Sequence, residues 1–142
     1  MYIVVEGGLV SMTELRGSFA TCLDCADGRT KEPVLAWARK NIGVQWIDLL
    51  TRAGMDGSLL SDLHPIIVED LRNQLGILLE KHHSRHVLIV GHCECAGNPV
   101  SEEEHRTCIK RAVDLVCSWN LPEGIEVVGL LVNPAWEVKV VA

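Results

Sequence analysis

The sequence predicts an α/β fold in a single domain, with a mainly parallel central β-sheet flanked by helices. Three observations predict it. Short β-branched and aliphatic runs alternate with helical segments along the chain, the order that a parallel sheet covered by helices requires. One run, Val87-Leu88-Ile89-Val90, is aliphatic at every position, as in a strand buried on both faces. The length of 142 residues, 48% hydrophobic and 23% charged with no low-complexity tract, suits one sizeable core, so residues 1–142 are read as one domain.

Residues 1–18 match neither the strand nor the helix period well enough to assign. Residues 19–24 mix Phe19, Thr21 and aliphatic neighbours and stop at the turn-forming stretch Asp27-Gly28-Arg29, predicting a strand that ends in a loop. Pro33 suits a first helical turn, residues 34–42 contain no breaker, and Gly43 stands where a left-handed C-terminal cap belongs. A second strand is predicted over 44–50, broken by Arg52-Ala53-Gly54-Met55-Asp56-Gly57. Pro65 opens a helix whose stripe of Ile67, Leu71, Leu75 and Leu78 belongs in the core. After the strand at 87–90, which ends at Gly91, Ser101 and Glu104 form a capping box. Glu102 and Glu103 favour the positive end of the same helix, which is predicted to run to about residue 119. Two strands at 126–132 and 138–141 follow the turn Leu121-Pro122-Glu123-Gly124, the last able to run antiparallel at an edge.

The formal charge of −6 comes from scattered acidic residues with no basic stripe, which argues against nucleic acid as a partner. The opening residues Met1 to Glu6 lack a basic leader region, and no segment approaches the ~20 apolar residues of a membrane span, so no membrane is expected and a cytoplasmic location is. In such a chain six cysteines point to metal ligands, a redox pair or buried thiols rather than a disulfide framework.

Cys25-Ala26-Asp27-Gly28-Arg29 follows the first core strand, and His92-Cys93-Glu94-Cys95 follows the strand ending at Gly91. Both sit at carboxyl ends of predicted parallel strands, where α/β sheets bind ligands. If those strands are neighbours, Cys25, His92 and Cys95 converge. One imidazole and two thiolates suit zinc and leave a fourth position for water or another side chain. Three other readings use the same loops. The site is a purely structural zinc; Cys22-Leu23-Asp24-Cys25 is a redox dithiol; or Cys22, Cys25, Cys93 and Cys95 form a four-thiolate zinc or iron–sulfur site.

Cys25-x-Asp27-x-Arg29, followed much later by His92-x-x-Cys95, resembles the paired motifs of the β-class carbonic anhydrases. Arg52-Ala53-Gly54 looks like that family's Arg-Asn-Ala-Gly loop, and residues 87–92 look like the strand that delivers its histidine. The family's Gly-Ala after the second cysteine stands here as Ala96-Gly97, and the likeness spans roughly residues 19–141.

The resemblance implies a β-carbonic-anhydrase-like fold with Zn2+ held by Cys25, His92 and Cys95. Asp27 and Arg29 would be catalytic, with Asp27 either taking the fourth position in a resting form or pairing with Arg29 and leaving that position to water. Two thiolates make zinc a weaker Lewis acid than imidazoles would, so a carboxylate that orients hydroxide and an arginine that fixes the carboxylate are useful beside it. The implied activity is that of a zinc-dependent lyase, reversible hydration of carbon dioxide to bicarbonate by zinc-bound hydroxide. Rival functions on the same fold are hydrolysis of a related small molecule such as carbon disulfide or carbonyl sulfide, and noncatalytic zinc binding or thiol redox sensing. The partner expected is a small-molecule substrate, carbon dioxide or bicarbonate. The aliphatic C-terminal strand fits a homodimer or higher homo-oligomer.

His105 shares a helical face with Ile109, Ala112 and Val116 and reads as a hydrogen-bonded core histidine, with a proton shuttle as the alternative. His82, His83 and His86 suit a helix C-terminus. Asp24 and Glu94 read as loop carboxylates, Cys108 as inward-facing and Cys117 as nearer the polar face. Trp37, Trp46, Trp119 and Trp136 read as core or interface residues.

Overall fold

The computed structural model describes the backbone of residues 2–5 and 8–11 and the whole of residues 18–142. Strands β1 (Tyr2–Val5) and β2 (Gly8–Ser11) pair antiparallel within the stretch that the sequence left unassigned; four residues each are too few to show a period. The main sheet contains β3 (Phe19–Asp24), β4 (Trp46–Thr51), β5 (His86–His92), β6 (Glu126–Val132) and β7 (Val138–Val140), in the order β4-β3-β5-β6-β7. The first four are parallel and β7 runs antiparallel at the edge, as the α/β reading expected.

Both faces of β3 and β5 are buried, which is why β5 carries a continuous apolar run at Val87 to Val90 rather than an alternating one. Helix α1 (Lys31–Asn41) follows a single 3-10 turn, Gly28–Thr30, and buries Val34 and Ala38 against Ala20, Cys22, Leu88 and Val90. Gly43 closes it with φ +78°, donating to the Ala38 carbonyl at 3.0 Å. β4 begins at Trp46, two residues later than expected, because the backbone of Gln45 and Trp46 is first tied to the Ser18 carbonyl.

On the other face lie the one-turn helix α2 (Met55–Ser58), α3 (Pro65–His82) and α4 (Glu102–Cys117). The buried stripe of α3 is Leu71, Leu75 and Leu79; Leu78, expected in it, is only partly buried, because i+3 and i+4 share a face and the docked helix turns Leu79 toward the sheet. The capping box of α4 forms as expected. Ser101 Oγ accepts from Glu104 N at 3.2 Å and Ser101 N donates to Glu104 Oε2 at 2.9 Å. α4 stops at Cys117, two residues early, where Ser118 caps it. Among the described residues no helix is long and apolar enough to cross a membrane.

Candidate metal centre

β3 and β5 are adjacent and parallel, with Leu23 opposite Ile89, so the residues just past their ends share one edge of the sheet. The ligating atoms of Cys25, His92 and Cys95 lie there within 4.8 Å of one another. All three residues are buried. The two sulfurs are 3.8 Å apart. His92 Nδ1–H donates to the Cys93 carbonyl at 2.8 Å, which leaves Nε2 as a bare lone pair, buried and without a hydrogen-bond partner among the described residues. Fixing the tautomer through the other ring nitrogen is how proteins prepare an imidazole for a metal. An orphaned nitrogen facing two close sulfurs fits a tetrahedral N/S cation such as zinc.

Backbone N–H groups face both sulfurs. Cys25 Sγ accepts from Gly54 N at 3.4 Å and Asp27 N at 3.5 Å. Burial pushes the Cys95 thiol up, while the backbone N–H groups of Asn98 and Gly97 act the other way. The two supporting loops cross closely: Gly54 (φ +63°) lies so near Gly97 that a Cβ there would fall 2.4 Å from the Gly97 carbonyl carbon.

Asp27 stands beside this group, its Oδ2 3.9 Å from His92 Nε2. Arg29 grips it as a fork: Nη2 to Oδ2 at 2.7 Å, Nε to Oδ1 at 3.1 Å, and backbone N to Oδ1 at 2.9 Å. These bonds hold the carboxyl well below the usual carboxylate range. Asp27 is thus engaged by Arg29 while standing beside the three-residue group. Arg29 in turn lies over the Trp136 ring, 4.6 Å from its centroid.

Asp24 is more than the loop carboxylate expected. It is fully buried, accepts Cys25 N at 2.7 Å, Thr30 Oγ1 at 2.8 Å and Lys31 Nζ at 2.8 Å, and so anchors the backbone of the first cysteine. Lys31 Nζ also bonds the Cys25 carbonyl.

The remaining candidates disperse. Cys22 belongs to the apolar cluster under α1, and burial, then the Asp24 charge, push its thiol well above the ordinary value, the reverse of what a nucleophilic dithiol needs. Cys93 lies 4.0 Å from Glu102 and stands outside the three-residue group, as Cys22 does, which leaves the four-thiolate reading two ligands short. His105 is buried and donates to Asp56 Oδ2 at 2.6 Å, the core-histidine arrangement. Glu94 is exposed at a left-handed turn. His82 pairs with Asp48 at 2.6 Å and stacks on Phe19, and His86 faces Glu126 at 3.4 Å, both at the opposite end of the sheet from the metal group. Cys108 is half-buried and Cys117 exposed; of the tryptophans only Trp119 is buried, the others being half-buried. Sequence reasoning passed over Asp56 and Asn98, which no local motif marks.

The family model described as "Putative carbonic anhydrase" matches residues 15–142. No curated protein matches the chain. Three solved structures are similar to it in fold. The β-carbonic anhydrase isoform I of the protozoan Trichomonas vaginalis is 19% identical over 89% of this chain and 82% of that one, with TM-score 0.55. A structure from a study of two tetrameric β-carbonic anhydrases of the filamentous ascomycete Sordaria macrospora is 11% identical over 87% and 80%, TM-score 0.56. The β-carbonic anhydrase CafA of the fungal pathogen Aspergillus fumigatus is 14% identical over 85% and 74%, TM-score 0.55.

Proposed function

The chain belongs to this carbonic anhydrase family, and from that premise we propose that it is a zinc-dependent lyase interconverting carbon dioxide and bicarbonate. Cys25, His92 and Cys95 hold Zn2+, and Asp27 and Arg29 are the catalytic pair beside it. The observation that supports the reading is the Arg29 fork on Asp27, which keeps the nearest carboxylate engaged 3.9 Å from His92 Nε2, beside the three candidate ligands.

Zinc in this set supplies Lewis acidity, bringing the pKa of water toward about 7. The chain's own residues do the rest. Asp27, kept ionised by Arg29, can only accept hydrogen bonds, so it orients an O–H group and directs that oxygen's lone pair away from itself. Arg29 keeps the carboxylate in place, and its guanidinium, half exposed at the rim, favours the anionic product. His105 is enclosed and bound to Asp56, so the proton leaves where Asp27 and Arg29 meet solvent. A cytoplasmic location and a homodimer or higher homo-oligomer belong to the same reading; edge strand β7, with Val140 exposed, offers an apolar edge for a second copy.

Stopped-flow carbon dioxide hydration and zinc content, measured on wild type, Cys95→Ser and Cys22→Ser, test it. Wild type and Cys22→Ser are expected to carry one zinc and a rate above buffer between neutral and alkaline pH, with Cys95→Ser losing both. A zinc-replete wild type with no rate above buffer overturns the lyase in favour of noncatalytic zinc binding. Zinc lost from both variants overturns the three-ligand set.

A further inference from the structure

We propose that Asp56 is a positioning residue for the metal centre, a buried carboxylate that ties together the turn touching Cys25 and the segments carrying His92 and Cys95. The inference rests on the reading of those three residues as the zinc ligands.

Asp56 sits in α2 at 1% exposure. Its Oδ1 accepts from the Asn98 side-chain amide at 3.1 Å and from Gly57 N at 3.0 Å, and its Oδ2 accepts from His105 Nδ1 at 2.6 Å. The carboxylate also presses on β5 at Gly91, where a Cβ would fall 2.7 Å from Oδ2. Three links run from it toward the ligands, through its own turn, through Gly91 and through Asn98. The turn bearing Asp56 begins at Gly54, whose N–H donates to Cys25 Sγ. Gly91 immediately precedes His92. Asn98 lies three residues past Cys95 and supplies one of the backbone N–H groups on its sulfur.

A carboxylate taken out of water is costly unless its lone pairs are met, and here both oxygens are. Two small residues make room for the arrangement. Any side chain at Gly91 would displace the carboxylate, and a Cβ at Gly57 would fall 2.8 Å from Asn98 Cγ. His105 completes it, its Nδ1 meeting Oδ2 from a helix on the same face of the sheet. Its Nε2 is buried with no partner among the described residues, so Asp56 is the one side chain that fixes this ring there. Partners bonded directly to metal ligands are worth roughly 10–100-fold in metal affinity or activity, which sets the scale for a residue acting one step further out.

The test compares zinc affinity, by chelator competition, and the absorption bands of the cobalt-substituted protein with the melting temperature of the metal-free protein. The variants are Asn98→Ala, Asp56→Ala, their double, and Leu75→Ala in the core under α3. Asn98→Ala and Asp56→Ala are expected to weaken zinc binding about 10–100-fold and to shift the thiolate-to-cobalt bands. The double variant should be no weaker than the weaker-binding single, because both remove one linkage. Leu75→Ala should melt lower with zinc affinity unchanged. Wild-type affinity and cobalt spectra in Asn98→Ala, with or without a lower melting temperature, overturn the proposal, and this half-buried loop variant carries the test if Asp56→Ala does not fold. A wild type that binds no zinc overturns the ligand reading together with this one; zinc bound normally by wild type and variants alike overturns this one alone.

Discussion

The crossing of the Gly54 and Gly97 loops yields a magnitude directly from geometry. A Cβ at Gly97 would lie 2.5 Å from the Ala53 carbonyl carbon and 2.6 Å from Gly54 N, while ordinary contact begins at 3.4 Å. The obstructing atoms are backbone and cannot rotate aside, so Gly97→Ala must separate the loops by 3.4 − 2.5 = 0.9 Å. A displacement of that size along the Gly54 N to Cys25 Sγ bond would turn 3.4 Å into 4.3 Å and break it. Overpacking of this kind costs about 1–3 kcal/mol and a lost hydrogen bond about 1 more, so a loss of roughly 2–4 kcal/mol is expected. Urea denaturation of the metal-free protein reads it as a lower midpoint at unchanged slope, and chelator competition reads the accompanying loss of zinc affinity. Two controls separate crowding from backbone effects. Gly28→Ala meets no atom within 4 Å at an ordinary φ and should stay within about 0.5 kcal/mol of wild type. Gly124→Ala also meets open space, but at φ +84° it should lose about 1–2 kcal/mol. Gly97→Ala as stable as Gly28→Ala, with zinc binding intact, would refute the close crossing.

Arg29→Ala should return the Asp27 carboxyl toward its ordinary range, followed by carbon-13 NMR titration, and lower carbon dioxide hydration about 10–100-fold. Because the folded-state pKa of Asp27 is depressed, its contribution to stability is present above the unfolded value of about 3.9 and lost as pH falls through the folded one, and the variant should lack that acid slope. Cys22, raised by burial, should resist thiol reagents in the native protein while exposed Cys117 reacts. Its stabilising effect is complete below the unfolded thiol value of about 8.5 and is lost as pH rises above it, so Cys22→Ala should flatten the alkaline limb of stability against pH. Ser101→Ala should cost about 1 kcal/mol by urea denaturation at pH 7. Hydrogen bonds from Ser101 depress the Glu104 carboxyl, so this difference should shrink as pH falls below about 4.3.

What could be read from the sequence was whatever depends on neighbours along the chain. The aliphatic run of β5, the Gly43 cap and the Ser101–Glu104 box are local patterns, and each formed as expected. The metal trio was legible because its members sit in two short motifs, each just past a recognisable strand. The remainder depends on separations no pattern records. Asp56 and His105 are 49 residues apart in sequence and 2.6 Å apart in space. Asp24 looked like a loop residue until Thr30 and Lys31 folded back over it. Leu79 replaced Leu78 on the buried stripe because only the docking of α3 on the sheet selects between adjacent leucines.

The location of the centre follows from chain order in the sheet. From β3 the chain passes through α1 to β4 on one side; from β5 it passes through α4 to β6 on the other. α1 packs on the face of Ala20 and Cys22, whereas α4 packs on the face of Leu23 and Ile89. The loops leaving β3 and β5 therefore part toward opposite edges and opposite faces, and the crevice between them is where open α/β sheets take ligands. Apolar residues that support this order are interchangeable so long as their volume is kept, which is how chains only 11–19% identical share the fold. The contents of the crevice are not interchangeable. His92 needs the Cys93 carbonyl to fix its tautomer, Cys25 needs Gly54 N, and Gly54 needs the absent side chain of Gly97. Fold and centre should thus respond to different substitutions: loss of core volume under α3 is expected to lower melting and spare zinc binding, whereas a single methyl at Gly97 is expected to move both.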